Sequence, residues 1–180
     1  MTDPLKEFAE LDDAYSRIRE ILTWPDELLT APAAGVSEWS AGQHLHHIAQ
    51  SNRVIARSIA GLVTSESETD ADRRVNLAGI TILASGYIPR GRGKAPARLH
   101  PPSSLAREDI ESAVTASVRS IDGLKELAGI IEKRRSRLKH PYLGYLRSSQ
   151  WLRFMNVHTG HHLRIIRDVE HALRNPAQAT

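Results

Sequence analysis

The sequence predicts an all-α fold: a four-helix bundle with a short inserted helix and a long loop between its second and third helices. Three observations carry that prediction. Apolar residues recur at steps of three and four along four long segments, the period of a helix with one buried face. Prolines mark the breaks between those segments, where a helix must stop. No apolar–polar alternation lasts long enough for a sheet, and there is no internal repeat. At 180 residues the chain fits one domain, set at 1–174, with 175–180 as a C-terminal tail.

The first helix is expected from about Pro4 to Leu22, with Leu5, Phe8, Leu11, Tyr15, Ile18 and Leu22 on one stripe. Pro4 suits a first turn, where its missing N–H is no loss, and Trp24-Pro25 closes the helix. A loop follows to Gly35. The second helix should start at Ser40, with Gln43 three residues on completing a capping box. It continues to about Val63 through Leu45, Ile48, Ile55, Ile59 and Leu62, and the polar stretch Thr64 to Asp72 reads as loop.

Val75 to Ile88 is apolar enough for a short buried helix, although Gly79 and Gly86 weaken it. Pro89-Arg90-Gly91-Arg92-Gly93-Lys94 then forbids regular structure, and Pro101-Pro102 marks the far end of this connection. Loops of such length in compact domains tend to be functional or disordered. The third long helix is placed from Ser103 or Ser104 to about Arg135, through Ile110, Val114, Val118, Ile121, Leu124 and Leu127. His140-Pro141-Tyr142-Leu143-Gly144 is a turn, and the last helix runs from near Ser148 to a stop at Asn175-Pro176.

Composition narrows function by exclusion. The 24 basic and 21 acidic residues leave a net charge of +3, without the concentrated basic face that duplex binding needs. Arg90, Arg92, Lys94 and Arg98 form one basic cluster and Lys133 to Lys139 another; either suits an anion, but solvated surface is the stronger reading of each. The chain has no cysteine, which removes disulfides, thiolate metal sites and a cysteine nucleophile. Met1 to Glu10 carries charges where a signal peptide needs an apolar run, and no stretch approaches the ~18 apolar residues of a membrane span. A cytoplasmic protein is expected.

Nine histidines are present, and their placement matters more than their number. Trp151, Met155, His158, His162, Ile165 and Val169 follow steps of four, three, four, three and four, the seam of a helix facing a bundle core. A lone core histidine usually finds a hydrogen-bond partner. Two on one apolar seam each need satisfying, and an unpaired buried polar group costs about 2 kcal/mol or more. One metal ion satisfies both, since residues four apart on a helix are neighbours. A third ligand must come from another helix, where His44, His46 and His47 cluster. Periodicity places His44 nearest the apolar stripe, His47 on its flank and His46 facing away. Thr159 stands where a zinc-protease motif requires Glu, so that chemistry is excluded.

The run Glu38-Trp39-Ser40-Ala41-Gly42-Gln43-His44-Leu45-His46-His47-Ile48-Ala49-Gln50-Ser51 resembles the second-helix motif of the DinB-like (YfiT-like) superfamily. In that motif a Trp-Ser or Trp-Thr start precedes a metal-binding histidine by eight residues, which implies His47. His158-Thr159-Gly160-His161-His162-Leu163-Arg164 is similar to the superfamily's second metal motif and implies His158 and His162. His140-Pro141-Tyr142-Leu143-Gly144 and Gln150-Trp151 resemble more narrowly one branch carrying His-Pro-x-x-Gly and His-His-Leu-Arg. Ile165 and Gln50 depart from relatives that have Gln and Asp there, so roles carried by those positions do not transfer.

The resemblance implies a four-helix bundle with a zinc- or nickel-type ion, often dimeric, and relatives that include thiol S-transferases and metal hydrolases. The expected function is therefore a metal-dependent thiol S-transferase or hydrolase acting on a small molecule, possessing a divalent ion at His47, His158 and His162. Any sulfur nucleophile must arrive with a low-molecular-weight thiol, because the chain supplies none. His44 and His161 are expected either to support the ligands or to lie at the surface. Arg90, Arg92 and Lys94 are expected to grip a carboxylate of substrate or thiol, or else to belong to a solvated loop. The competing reading is a non-catalytic metal-binding bundle acting as a binding or stress-associated module. Nucleic-acid binding is set aside, because the Arg90–Lys94 loop is short and lacks interleaved aromatics.

Overall fold

Helix α1 (Pro4–Leu22) begins where Asp3 accepts the N–H of Leu5 at 2.9 Å, with Pro4 in the first turn. The computed structural model describes residues 3–66, 68–91, 93 and 95–175. A short α2 (Asp26–Thr30) follows within the segment expected to be loop. Arg107 holds this corner together by donating to the carbonyls of Leu22 and Trp24 and to the Asp26 carboxylate.

Helix α3 (Ala41–Thr64) starts at Ser40 with both halves of the expected capping box: Gln43 N–H to Ser40 Oγ and Ser40 N–H to Gln43 Oε1. Helix α4 (Leu77–Ser85) is the inserted helix. It is not buried as expected. Leu77 is 79% exposed and Ile80 56%; Gly79 alone is fully buried, where an added Cβ would lie 2.5 Å from the Leu143 carbonyl. The helix docks through its glycine and through Ile82 and Leu83, which are half-buried against the core, while Leu77 and Ile80 point outward.

A 3-10 turn at Ala97–Leu99 precedes α5 (Arg107–Lys125) and α6 (Ala128–Lys133). These replace the single helix expected from Ser103 or Ser104 to Arg135. The start moves to Arg107, where Asp109 accepts the N–H of Ala106. The helix then breaks at Leu127, whose N–H turns back to Leu124 O in a tight turn. The chain next forms a hairpin, β1 (Arg137–His140) paired antiparallel with β2 (Gly144–Arg147), so the expected turn at His140–Gly144 is the tip of two short strands. Helix α7 (Ser148–Arg174) closes the fold with the expected bounds; the residues after Asn175 lie outside the described residues.

The four long helices α1, α3, α5 and α7 form the all-α bundle, with α3 packed on both α5 and α7, and α1 against α7 and α5. Leu11, Ile18, Leu45, Ile48, Ile59, Ile110, Leu152, Met155 and Ile166 fill its centre. A buried polar layer crosses this core. Asn52 donates to Tyr15 Oη (3.1 Å) and Thr159 Oγ1 (3.0 Å), and Tyr15 Oη meets Ser117 Oγ at 2.5 Å. Each long helix contributes one of these four side chains. A smaller cluster, Ala33, Ile165 and Val169 with Val36, seats the loop before α3 on the end of α7. No described helix is long and apolar enough to cross a membrane.

Candidate metal centre

Helix α7 presents His158 and His162 on the seam with Trp151, Met155, Ile165 and Val169, all buried except His158, which keeps a partly open face. His47 approaches from α3. His158 Nε2 lies 3.2 Å from His47 Nε2 and 3.2 Å from His162 Nε2. One nitrogen of each ring lies within 4.8 Å of the others, a group that could hold a metal ion. Two nitrogens held tetrahedrally at ~2.0–2.1 Å from an ion would stand ~3.3 Å apart, which matches the two separations at His158.

Hydrogen bonds behind the rings fix which nitrogens face inward. The Leu99 carbonyl can only accept, so His47 Nδ1 carries the proton that bonds it at 2.8 Å, and Nε2 keeps its lone pair toward the centre. That carbonyl comes from the connection after α4, which thereby passes over the site. His44, which periodicity favoured, is also buried but stands behind His162, with their Nδ1 atoms 2.9 Å apart. Of the three α3 histidines, His44 and His47 are both buried because α3 packs on two sides; only His47 joins the three-ring group. His158 Nδ1 is buried and has no partner among the described residues.

Burial dominates the electrostatics. It pushes the His47, His158 and His162 pKa values down, the last two well below the usual imidazole range, and neighbouring histidines deepen the shift. The Leu99 bond opposes it at His47. All three rings are therefore neutral near pH 7, the form that donates a lone pair. Among the described residues no carboxylate belongs to the group. Trp39 forms a wall, its ring 5.0 Å from His47 and 6.3 Å from His162, and Phe154 flanks His158 at 5.6 Å.

The family profile of the DinB superfamily matches residues 10–166. The chain belongs to the DinB superfamily. No curated protein and no solved structure matches it. In this DinB-superfamily chain the matched span includes all three clustered histidines and every long helix, at least in part.

The remaining expected site residues divide. His161 is half-buried beside His162 and bonds the Ile88 backbone; burial, then Arg164, lower its pKa to about 4. Arg90 lies along α7, where it pairs with Asp168 at 2.5 Å, so a ligand carboxylate would have to compete for it. Arg92 and Lys94 lie outside the described residues. Sequence reasoning missed two supports of the site. Ser37 bonds His44 Nε2 at 2.9 Å, and the Leu99 carbonyl bonds His47. A backbone carbonyl leaves no residue-type signal, and nothing in the spacing of Ser37 announces its partner.

Proposed function

We propose that the chain is a metal-dependent thiol S-transferase or hydrolase acting on a small molecule, with a divalent ion of the zinc or nickel type held by His47, His158 and His162. The observation that carries this reading is the convergence of three neutral imidazoles, two of them 3.2 Å from the third, in a group without a carboxylate. Such a set leaves an ion's charge uncompensated and coordination positions open, as catalytic rather than closed structural sites do. A divalent ion held there supplies Lewis acidity that lowers the pKa of a thiol or water in reach.

The chain's own residues supply the rest. His47 is oriented by Leu99, and Trp39 and Phe154 pack against the imidazoles. Ser51 Oγ, 3.5 Å from His47 Nε2, adds a hydroxyl beside the ligands. The partly open face of His158 offers the approach for substrate. Arg90 is the described member of the basic loop, and exchange of its Asp168 partner for a ligand carboxylate would anchor the thiol or substrate.

A non-catalytic metal-binding module is the second reading, supported by the lack of a carboxylate general base in the histidine group. Elemental analysis of protein purified without added metal tests the site, with about one divalent ion per chain expected. Thiol-transfer and hydrolysis assays on loaded, chelator-treated and His158→Ala protein then separate the two readings. Metal-dependent turnover supports the enzyme; a fully loaded protein inert toward both reaction classes supports the module.

A further inference from the structure

We propose that Ser37 and His44 form a positioning relay that fixes the ligating tautomer of His162. This rests on the reading of His162 as a metal ligand. The argument is a count of protons. His162 Nε2 lies 3.2 Å from His158 Nε2, inside the cluster, so ligation requires its lone pair there and its proton on Nδ1. That proton has one partner, His44 Nδ1 at 2.9 Å, and two protons cannot share that contact. His44 Nδ1 therefore accepts, and the His44 proton sits on Nε2. There it meets Ser37 Oγ at 2.9 Å, which also accepts the Trp39 N–H at 3.0 Å. A hydroxyl oxygen has two lone pairs, so both are used and each imidazole N–H of the relay is placed once.

Run in reverse, the relay has Ser37 donating to His44, His44 donating to His162, and a proton on His162 Nε2 aimed into the cluster. That direction blocks ligation. The Trp39 N–H occupies one lone pair of Ser37 in either direction; an ion at the three histidines would select the forward one, because it needs the lone pair of His162 Nε2. The parts are held firmly. His44 is buried, and the Ser37 loop is fixed by its bridge to Ala33, which packs with Val36 on Ile165 and Val169 of α7. The same helix that carries His162 thus seats the far end of its relay. Metal ligands usually have a carboxylate or carbonyl behind the imidazole. A neutral histidine there orients the ring without adding negative charge, which keeps the ion's Lewis acidity high.

The test measures metal affinity by competition with a chromophoric chelator, together with the visible spectrum of the cobalt(II) form, for the parent, His44→Ala, His44→Asn and Ser37→Ala. Loss of an orienting partner typically weakens metal binding ~10–100-fold. His44→Ala should lose that much and shift the cobalt bands, while its metal-free form melts near the parent. His44→Asn, whose Oδ1 can accept from His162 Nδ1, should recover most of the affinity; Ser37→Ala should fall between. Parent-like affinity and cobalt spectrum in His44→Ala would overturn the relay. If His44→Ala does not fold, the order of the other two decides: Ser37→Ala binding as tightly as parent, or His44→Asn binding more weakly than Ser37→Ala, overturns it as well. A parent that binds no divalent metal fails the three-histidine reading itself, a different outcome from a loaded parent with indifferent variants.

Discussion

His140 shows how much one side chain can do away from the metal group. Its Nδ1 accepts the N–H groups of Tyr142 and Leu143 at 3.1 and 3.2 Å, so the imidazole caps its own hairpin tip. The ring is packed against Trp151 and Phe154, and burial lowers its pKa to about 4. A histidine depressed on folding stabilises the protein above its unfolded pKa of ~6.5, and that contribution is lost as pH falls through the folded value. The difference is worth about 3 kcal/mol at ~1.4 kcal/mol per unit. Urea unfolding at several pH values between 7.5 and 4 should show a steep loss in the parent and a shallower one in His140→Phe. Equal slopes would mean that His140 is not the group responsible.

The ligands follow the same sign. Depressed pKa values weaken the proton as a competitor for the lone pair, so metal should be retained at pH 6 and released further into acid than a free imidazole would release it. Metal content after dialysis from pH 7 to 4 checks this. His158→Ala or His162→Ala should abolish binding, and His46→Ala should not. Residue by residue, the site was half legible. The seam of α7 exposed His158 and His162 because a single buried stripe obeys one period. On α3 the period leaned toward His44 and could not single out His47, because a helix packed on two neighbours buries a wide arc; only the resemblance of the run from Trp39 to the family's motif pointed to His47.

Helices whose ends are set locally were readable; elements made by distant contacts were not. Pro4, the Ser40 capping box and the residues before Pro176 define α1, α3 and α7 from their own neighbours in sequence. The hairpin is different. Its strands are four residues each, too short for a period, and its geometry depends on Gly144 pressing against the backbone of residues 74–76. Gly144 adopts φ +81°, and a Cβ there would lie 2.7 Å from Asn76 N and 2.8 Å from Arg74 O. Gly144→Ala should cost ~1–2 kcal/mol from the left-handed backbone alone, and more from those contacts. Gly61 in α3 has open space where a Cβ would go. Gly61→Ala should stabilise by roughly 0.5–1 kcal/mol. Thermal melts of the two variants should move in opposite directions; a parent-like Gly144→Ala would mean that the hairpin does not rest on α4's approach in this way.

For the molecule as a whole, an ion at the three histidines would bind the folded chain far better than the unfolded one, because His47 and His158 are 111 positions apart. Stability then rises with free metal, by about 2.7 kcal/mol at a hundred times the dissociation constant. Melting temperatures with added zinc or nickel should climb with concentration and fall back with chelator, and a flat response would exclude binding to the folded site.

The polar layer of Tyr15, Asn52, Ser117 and Thr159 gives that response its sharpness. Hydrophobic contact tolerates a helix rotated about its axis, since one aliphatic side chain replaces another at little loss. A hydrogen bond between named atoms does not. Thr159 adjoins His158, and Asn52 lies five residues beyond His47, so turning α3 or α7 far enough to carry an imidazole away would also strip Asn52 of an acceptor in the dry interior. The layer acts as a keyway. It admits the helices in one rotational phase, the phase in which the three rings meet.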